Sequence, residues 1–302
     1  MLYRNLSGYL REKYGSRLGK ICIDGGFSCP NRDGKCGVGG CIFCGERGAG
    51  EHIEPLKLIR EQVESALLGA GENDKFIAYF QNFTNTYATV EVLRERYDAA
   101  LIDSRIKILA IGTRPDCITE EIAELVASYK ARREVWVELG LQTSSDVTAE
   151  LINRGYKTEV FKRAVDILTR HGIPVVAHII IGLPSEDKSE VEKTVDYLSR
   201  LPLFGIKIHS IYVMKGTRIA DLYARGEYEP PSLAEYVECV GYALSHLPSE
   251  LVIHRLTGDC PRGMLLAPEW NANKNAVIEK IKEYMQENAL YQGVYYKKPS
   301  ER

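Results

Sequence analysis

Short apolar runs rich in β-branched residues alternate along this chain with longer stretches whose apolar positions recur every three to four residues. The first kind reads as buried strands and the second as helices with one apolar stripe. The strands predicted this way are 20–24 (KICID), 76–80 (FIAYF), 106–111 (IKILAI), 134–139 (EVWVEL), 174–181 (PVVAHIII) and 205–213 (GIKIHSIYV). Helices are predicted over 54–69, 88–102, 118–131, 158–171 and 186–200. Helices of that length suit crossovers between parallel strands. Six such units in a row predict an α/β fold curled into a barrel or partial barrel. Past residue 216 the pattern changes: a Pro230-Pro231 pair, a helix near 232–247, a short apolar run at 251–256 and a last helix near 273–288. The expected division is a barrel over 1–215 and a C-terminal extension over 216–302 packed on it.

Charge alters this picture in one respect. The 302 residues carry 39 Lys and Arg against 41 Asp and Glu, a formal net charge of −2. Proteins that grip nucleic acid usually carry a basic excess or stripe. The basic N-terminal positions Arg4, Arg11, Lys13, Arg17 and Lys20 are a modest one, so small free substrates gain weight over polyanions. No apolar run approaches the roughly 18 residues needed to span a bilayer. The first twenty residues lack the apolar core of a secretory signal, and a cytoplasmic protein with no membrane contact is expected.

Five of the eight cysteines, Cys22, Cys29, Cys36, Cys41 and Cys44, crowd into one stretch, CIDGGFSCPNRDGKCGVGGCIFC. In a reducing compartment clustered thiols are metal ligands more often than disulfides. The two-residue gap between Cys41 and Cys44 lets a tight turn aim both sulfurs at one centre. Glycines 34, 37, 39 and 40 let the loop wrap closely. Three readings stand: a four-cysteine zinc site built from Cys22, Cys29, Cys41 and Cys44, buried unligated cysteines, and an iron–sulfur cluster held by three thiolates.

Other candidates lie at the ends of predicted strands, where the loops of βα units converge on active sites. Thr113, Arg114, Pro115 and Asp116 follow one strand, with Asp116 also placed to cap the next helix. His178 lies within an apolar strand, where a satisfied core histidine is the alternative. Lys207 and His209 alternate on the next strand and so share a face. Two ionisable groups on one face of a buried strand are costly unless they are paired or face a polar cavity, which argues for a substrate pocket lined by His178, Lys207 and His209. His254, Arg255 and Asp259 crowd together near the C-terminus.

The run CPNRDG followed by GGCIFC, with TRPD at a later strand end, resembles the radical S-adenosylmethionine (SAM) superfamily, specifically the YhcC/YtqA-like family related to the Elongator catalytic subunit. That resemblance implies a partial (β/α)6 TIM-type radical SAM barrel. It implies that Cys29, Cys41 and Cys44 bind three irons of a 4Fe-4S cluster whose fourth iron is left for SAM. It assigns no ligand role to Cys22, read as a small core residue, or to Cys36, left open as a surface thiol or a substitute ligand. Phe43 takes the position that packs beside the SAM adenine, Gln142 that of a ribose partner and Arg154 that of a carboxylate partner, while Thr113 or Arg114 would meet SAM polar groups. Where many members carry a Gly-Gly-Glu-like segment for the SAM amino group, this chain has QNFTNTY, which offers Gln81, Asn82 and Asn85 instead.

The implied chemistry is reductive cleavage of SAM and hydrogen abstraction from a substrate, with flavodoxin or ferredoxin as electron donor. The family's relatives work on wobble nucleosides. The charge balance therefore favours a free modified base, with queuine and lyase cleavage to 7-aminomethyl-7-deazaguanine as the first expectation. Wobble-uridine side-chain modification on tRNA is the second, and a non-catalytic zinc-binding interaction protein is the rival from another class.

Overall fold

The structure is a computed structural model, and it describes residues 2–48, 58–261 and 263–298. In chain order the elements of the first half are α1 (Leu6–Tyr14), β1 (Gly19–Ile23), α2 (Ile59–Leu67), β2 (Phe76–Phe80), α3 (Val90–Ala100), β3 (Ile106–Thr113), α4 (Glu120–Ser128), β4 (Glu134–Gln142) and α5 (Asp146–Leu151). There follow α6 (Thr158–Arg170), β5 (Val175–Ile181), α7 (Lys188–Leu198), β6 (Gly205–Ser210), β7 (Val213–Met214), α8 (Arg218–Ala224), α9 (Leu233–His246), β8 (Val252–Arg255), β9 (Leu265–Ala267) and α10 (Lys274–Glu287). Of the helix predicted over 54–69, residues 54–57 lie outside the described residues.

Seven strands form one parallel sheet in the order β1-β2-β3-β4-β5-β6-β8. It is the curled half-barrel of an α/β fold. The six expected strands stand side by side, and a seventh joins them at the edge. The short run near 251–256 becomes β8 and pairs with β6 through Gly205 and Val252, and Ile206 and Ile253. The segment beyond 215 thus does more than pack on the barrel, since it adds a strand to the sheet. The strand expected over 205–213 also ends early, at Ser210, and its last residue, Val213, begins β7, antiparallel to β9.

Alternation along each strand decides what the barrel holds. One set of positions, including Ile21, Ala78, Leu109, Ile111, Val137, Leu139, Ala177 and Ile208, packs under the outer helices. The other set faces the lumen, and its lower layer is apolar: Ile77, Ile108, Trp136 and Val176. Helix α1 plugs that end with Leu10, backed by Leu6, Tyr9 and Tyr14. It is held by its Asn5 cap, which accepts from the Gly8 amide at 2.8 Å, and by Tyr9, which donates to Glu134 at 2.7 Å. One layer higher the same alternation brings Tyr79, Glu138, His178 and Lys207 inward. Chemistry is thereby confined to the upper lumen and the mouth above it.

Candidate active site

A cavity of about 240 Å³ opens at the C-terminal ends of the strands. Its rim is the cysteine loop: Cys29, Cys41, Phe43 and Cys44 all line it. The loop's shape follows from close packing. A Cβ on Gly37 would meet the Asn31 Oδ1 at 2.2 Å, and one on Gly40 would meet Arg32 Nε at 2.8 Å, in a residue whose φ is +73°. Arg32 folds back under the loop and donates to the carbonyls of Gly45 at 2.5 Å and Glu46 at 3.0 Å. Asn31 donates to the Asn153 carbonyl at 2.6 Å and lies 3.9 Å from the Cys41 sulfur. Cys41 and Cys44 share a hydrogen bond between their thiols, which raises the first and lowers the second.

The INRG segment proves to be the cradle of this loop. Ile152 accepts from the Ile42 amide at 3.1 Å, and Asn153 donates to the Gly40 carbonyl at 2.7 Å. Arg154 is the clearest correction among the expected cofactor residues. Its guanidinium is fully buried and spent on the carbonyls of Leu141 at 2.6 Å, Thr143 at 2.7 Å and Tyr156 at 3.0 Å, and on Asp146 and Thr158. It does not line the cavity, because a buried guanidinium takes every acceptor within reach. Gln142 does line it, with φ at +62°, and its side chain lies over Gly140, where a Cβ would be 2.5 Å from Nε2. Tyr156 donates to the Gly140 carbonyl at 2.5 Å, with its hydroxyl 3.2 Å from Gln142 Oε1.

Thr113 and Arg114 line the cavity too. Arg114 holds Asp116 through two nitrogens, at 2.9 and 2.7 Å, and donates to the Arg154 carbonyl at 2.9 Å. Asp116 is therefore no helix cap; Thr119 caps α4, accepting from the Ile122 amide. Gln81 lines the cavity, whereas Asn82 lies behind it and donates to Asp24 at 2.8 Å. Asn82 Oδ1, Thr84 Oγ1 and Asn85 Oδ1 are buried without partners. Such atoms cost free energy unless something bonds them, and of the three residues Thr84 lines the cavity.

The floor is a charged cluster that the sequence only half disclosed. His178 and His209 line the cavity, with ring centroids 5.4 Å apart. Lys207 lies beneath, paired with the buried carboxylate of Glu138, and donates to the Tyr79 hydroxyl at 3.1 Å. Glu138 also meets His178 Nε2 at 2.9 Å and accepts from Trp136 Nε1 at 3.1 Å. Burial alone would raise the Glu138 carboxyl, but the charge of Lys207 and the bond to His178 hold it well below its ordinary range. Burial pulls the Lys207 ammonium down to about 7 against the opposing pull of Glu138. Burial lowers His178 and His209 as well, and His254 to about 3. Glu138 and Tyr79 were missed by sequence reasoning. The available signal was the inward alternation of VWVELGLQ and FIAYF, which puts a carboxylate and a phenol on the lumen face.

Among the described residues no three Cys, His, Asp or Glu side chains are gathered as ligands of a single metal ion, whereas three thiols spread round one rim leave room for a multi-iron cluster. Cys29, Cys41 and Cys44 surround one cavity, with unpartnered acceptors beside it. Cys22 packs in the lumen beside Tyr79, its partner on β2, and does not line the cavity with the loop thiols, so a zinc site would lack its fourth ligand. Cys36 is exposed and hangs on the Arg114–Asp116 pair, with its sulfur 3.6 Å from Arg114.

Residues 33–198 match the radical SAM superfamily, and residues 204–287 match the radical SAM C-terminal domain. Protein YtqA of Bacillus subtilis is 38% identical over 303 residues, covering 99% of this chain and 94% of its own. The tRNA uridine(34) acetyltransferase of Methanocaldococcus jannaschii is 29% identical over 192 residues, 62% of this chain but 34% of that enzyme. Among solved structures, Elp3 of Methanocaldococcus infernus lacking residues 1–46 superposes with a TM-score of 0.69 at 19% identity, over 91% of this chain and 64% of that one, a likeness of fold. A curled parallel half-barrel with three cysteines at its mouth, and sequence matches running almost end to end, place the chain in the radical SAM superfamily, whose enzymes use a 4Fe-4S cluster and SAM.

Proposed function

We propose that this enzyme abstracts a hydrogen atom from a modified nucleobase, with a free base as its first substrate: queuine, cleaved at its amine to leave 7-aminomethyl-7-deazaguanine. The observation that carries the reading is the cavity floor beside the cysteine loop. His178, His209, Gln81, Gln142 and Tyr212 are donors and acceptors suited to the polar edge of a heterocycle. The cationic Lys207 is already matched to Glu138 and does not demand an anion. When bound, the cluster and SAM supply a 5′-deoxyadenosyl radical that takes the hydrogen atom, on an electron from a flavodoxin or ferredoxin.

The chain's own residues hold the parts in contact. Cys29, Cys41 and Cys44 would ligate three irons. Phe43 would pack on the adenine, Gln142 would meet the ribose, and the side-chain oxygens of Gln81 and Thr84, which line the cavity, would accept from the SAM amino group.

The test is anaerobic reconstitution with iron and sulfide, followed by SAM and dithionite, with 5′-deoxyadenosine measured without substrate, with free queuine and with hypomodified tRNA. Stimulation by queuine with release of the aminomethyl base is the expected result. No stimulation by the free base sinks the salvage reading. The similarity to an archaeal tRNA uridine(34) acetyltransferase favours a second reading, wobble-uridine modification on tRNA. Stimulation by tRNA alone, with binding that weakens steeply as salt rises, would establish it.

A further inference from the structure

We infer that Glu138 fixes the tautomer of His178, so that Nδ1 stands bare on the cavity floor as the acceptor of a proton from an N–H or O–H of the bound substrate. The inference rests on the reading that substrate occupies this cavity.

The geometry leaves one arrangement of hydrogens. Glu138 faces two groups that can only donate to it, the Lys207 ammonium on one oxygen and Trp136 Nε1 at 3.1 Å on the other, and in addition His178 Nε2 at 2.9 Å. An ionised carboxylate accepts from all of them, whereas a protonated one would turn a donor against one of them. Nε2 of His178 therefore carries its hydrogen, and a neutral ring that is protonated there is an acceptor at Nδ1. His178 is also the member of the cluster that reaches outward. Its side chain is 20% exposed and lines the cavity, against 3% for Glu138 and 5% for Lys207. His254 lies on the far side of Glu138, with Nδ1 3.9 Å from Oε1 and the whole ring sealed between Trp136 and Phe204.

The step is a proton transfer with no electron moved. The substrate heteroatom loses its proton to Nδ1, and the resulting imidazolium lies against the Glu138 carboxylate. Lys207 acts in the other direction: with Arg255 it opposes a second positive charge, so the proton is held loosely enough to be returned. The charged and titratable groups around the ring are Glu138 on β4, Lys207 and His209 on β6, Tyr79 on β2, and His254 and Arg255 on β8. Glu138 and Lys207 touch no substrate in this scheme and are positioning residues for His178.

The test reads the protein directly. Holoenzyme labelled with 15N-histidine, kept anaerobic with its cluster oxidised, should show His178 as the Nε2–H tautomer at neutral pH. Glu138→Gln should shift the protonation midpoint of His178 down and Lys207→Met should shift it up, each by about one pH unit, the size of one neighbouring charge. The acid limb of queuine- or tRNA-stimulated turnover should move with it. An Nδ1–H tautomer in the wild type, or both variants moving the midpoint the same way, overturns the inference. If Glu138→Gln fails to fold, the wild-type tautomer and Lys207→Met still decide it. The spectrum needs no substrate, so failure of the functional reading, seen as no turnover with either probe, is separable from failure of this assignment.

Discussion

The cysteine loop and the lumen floor face the same cavity, yet they are assembled by different means. The loop gathers its three thiols from residues 29–44, a single segment whose glycines and Asn31 fix its path. The floor gathers Tyr79, Glu138, His178 and Lys207 from four strands, and its members meet only when the sheet has formed. A local motif can hold a cofactor with modest help from the fold, whereas a dispersed cluster is as stable as the barrel around it and lends part of that stability back. Losses in the loop should therefore appear as lost metal with the fold intact, and losses in the floor as lost stability.

The largest effect expected is on the loop side. Cys41→Ser or Cys44→Ser should abolish iron binding and SAM cleavage, well beyond the about 10–100-fold cost of altering a group that only orients a ligand. Cys36→Ser should keep its iron, because that thiol is exposed and rests on Arg114 and Asp116 outside the cavity wall. Iron content and visible absorbance check both. A chain that lost its iron in Cys36→Ser would end the assignment of three ligands to the loop.

On the floor side, Glu138→Ala should cost about 3–5 kcal/mol of stability, the usual price of leaving one partner of a buried ion pair alone. Lys207, the Trp136 N–H and His178 would all lose their acceptor at once. Urea unfolding measures it, and a loss below about 1 kcal/mol would mean that the cluster is not integral to the barrel. The iron stoichiometry of the folded fraction should not change.

Acid should reveal the same asymmetry. His178, His209 and His254 are held below the ordinary histidine value of 6.5, so as pH falls through about 6.5 the unfolded chain takes up protons that the native one refuses, and stability drops. Glu138 is depressed as well, and its stabilisation is lost as pH falls below the ordinary carboxylate value of 4.5 toward its own. Lys207 works in a higher window: between 10.5 and about 7 the unfolded state binds the extra proton, so stability already declines there on acidification. All these groups give a stability that rises with pH. Urea midpoints from about pH 5 to 8 test the sign, and a flat profile would remove the floor as its source.

What could be read in the sequence divides along the same line. Cys29, Cys41 and Cys44 were legible because their spacing is a local property of one segment. All six expected strands lie within three residues of their places because β-branched runs mark buried strands wherever they pair. Glu138 was invisible because a glutamate inside VWVEL is explained only by Lys207 and His178, 69 and 40 positions away. Arg154 misled for the same reason, since its motif position says nothing of the carbonyls of Leu141 and Thr143 that consume it. β8 was too short to be distinguished from a loop hydrophobe until β6 offered it an edge.

The smallest effect tests whether the two regions can be perturbed apart from each other. The sequence offers Asp116 as the cap of α4, and the structure puts Thr119 there instead: its side chain accepts from the Ile122 amide at 3.3 Å, while Asp116 is drawn away by the Arg114 guanidinium. An N-cap removed to alanine costs about 1 kcal/mol. Thr119→Ala should therefore lower the urea midpoint slightly while leaving the iron content and the His178 tautomer unchanged, because α4 packs on the outer face of the sheet. Asp116→Ala should have the reverse signature. It frees Arg114, which lines the cavity and supports Cys36 and the Arg154 carbonyl, so its effect should fall on SAM binding with little change in stability. Equal losses of stability in the two variants would show that the cavity rim and the outer helices are one cooperative unit, and the separation of loop from barrel would not hold.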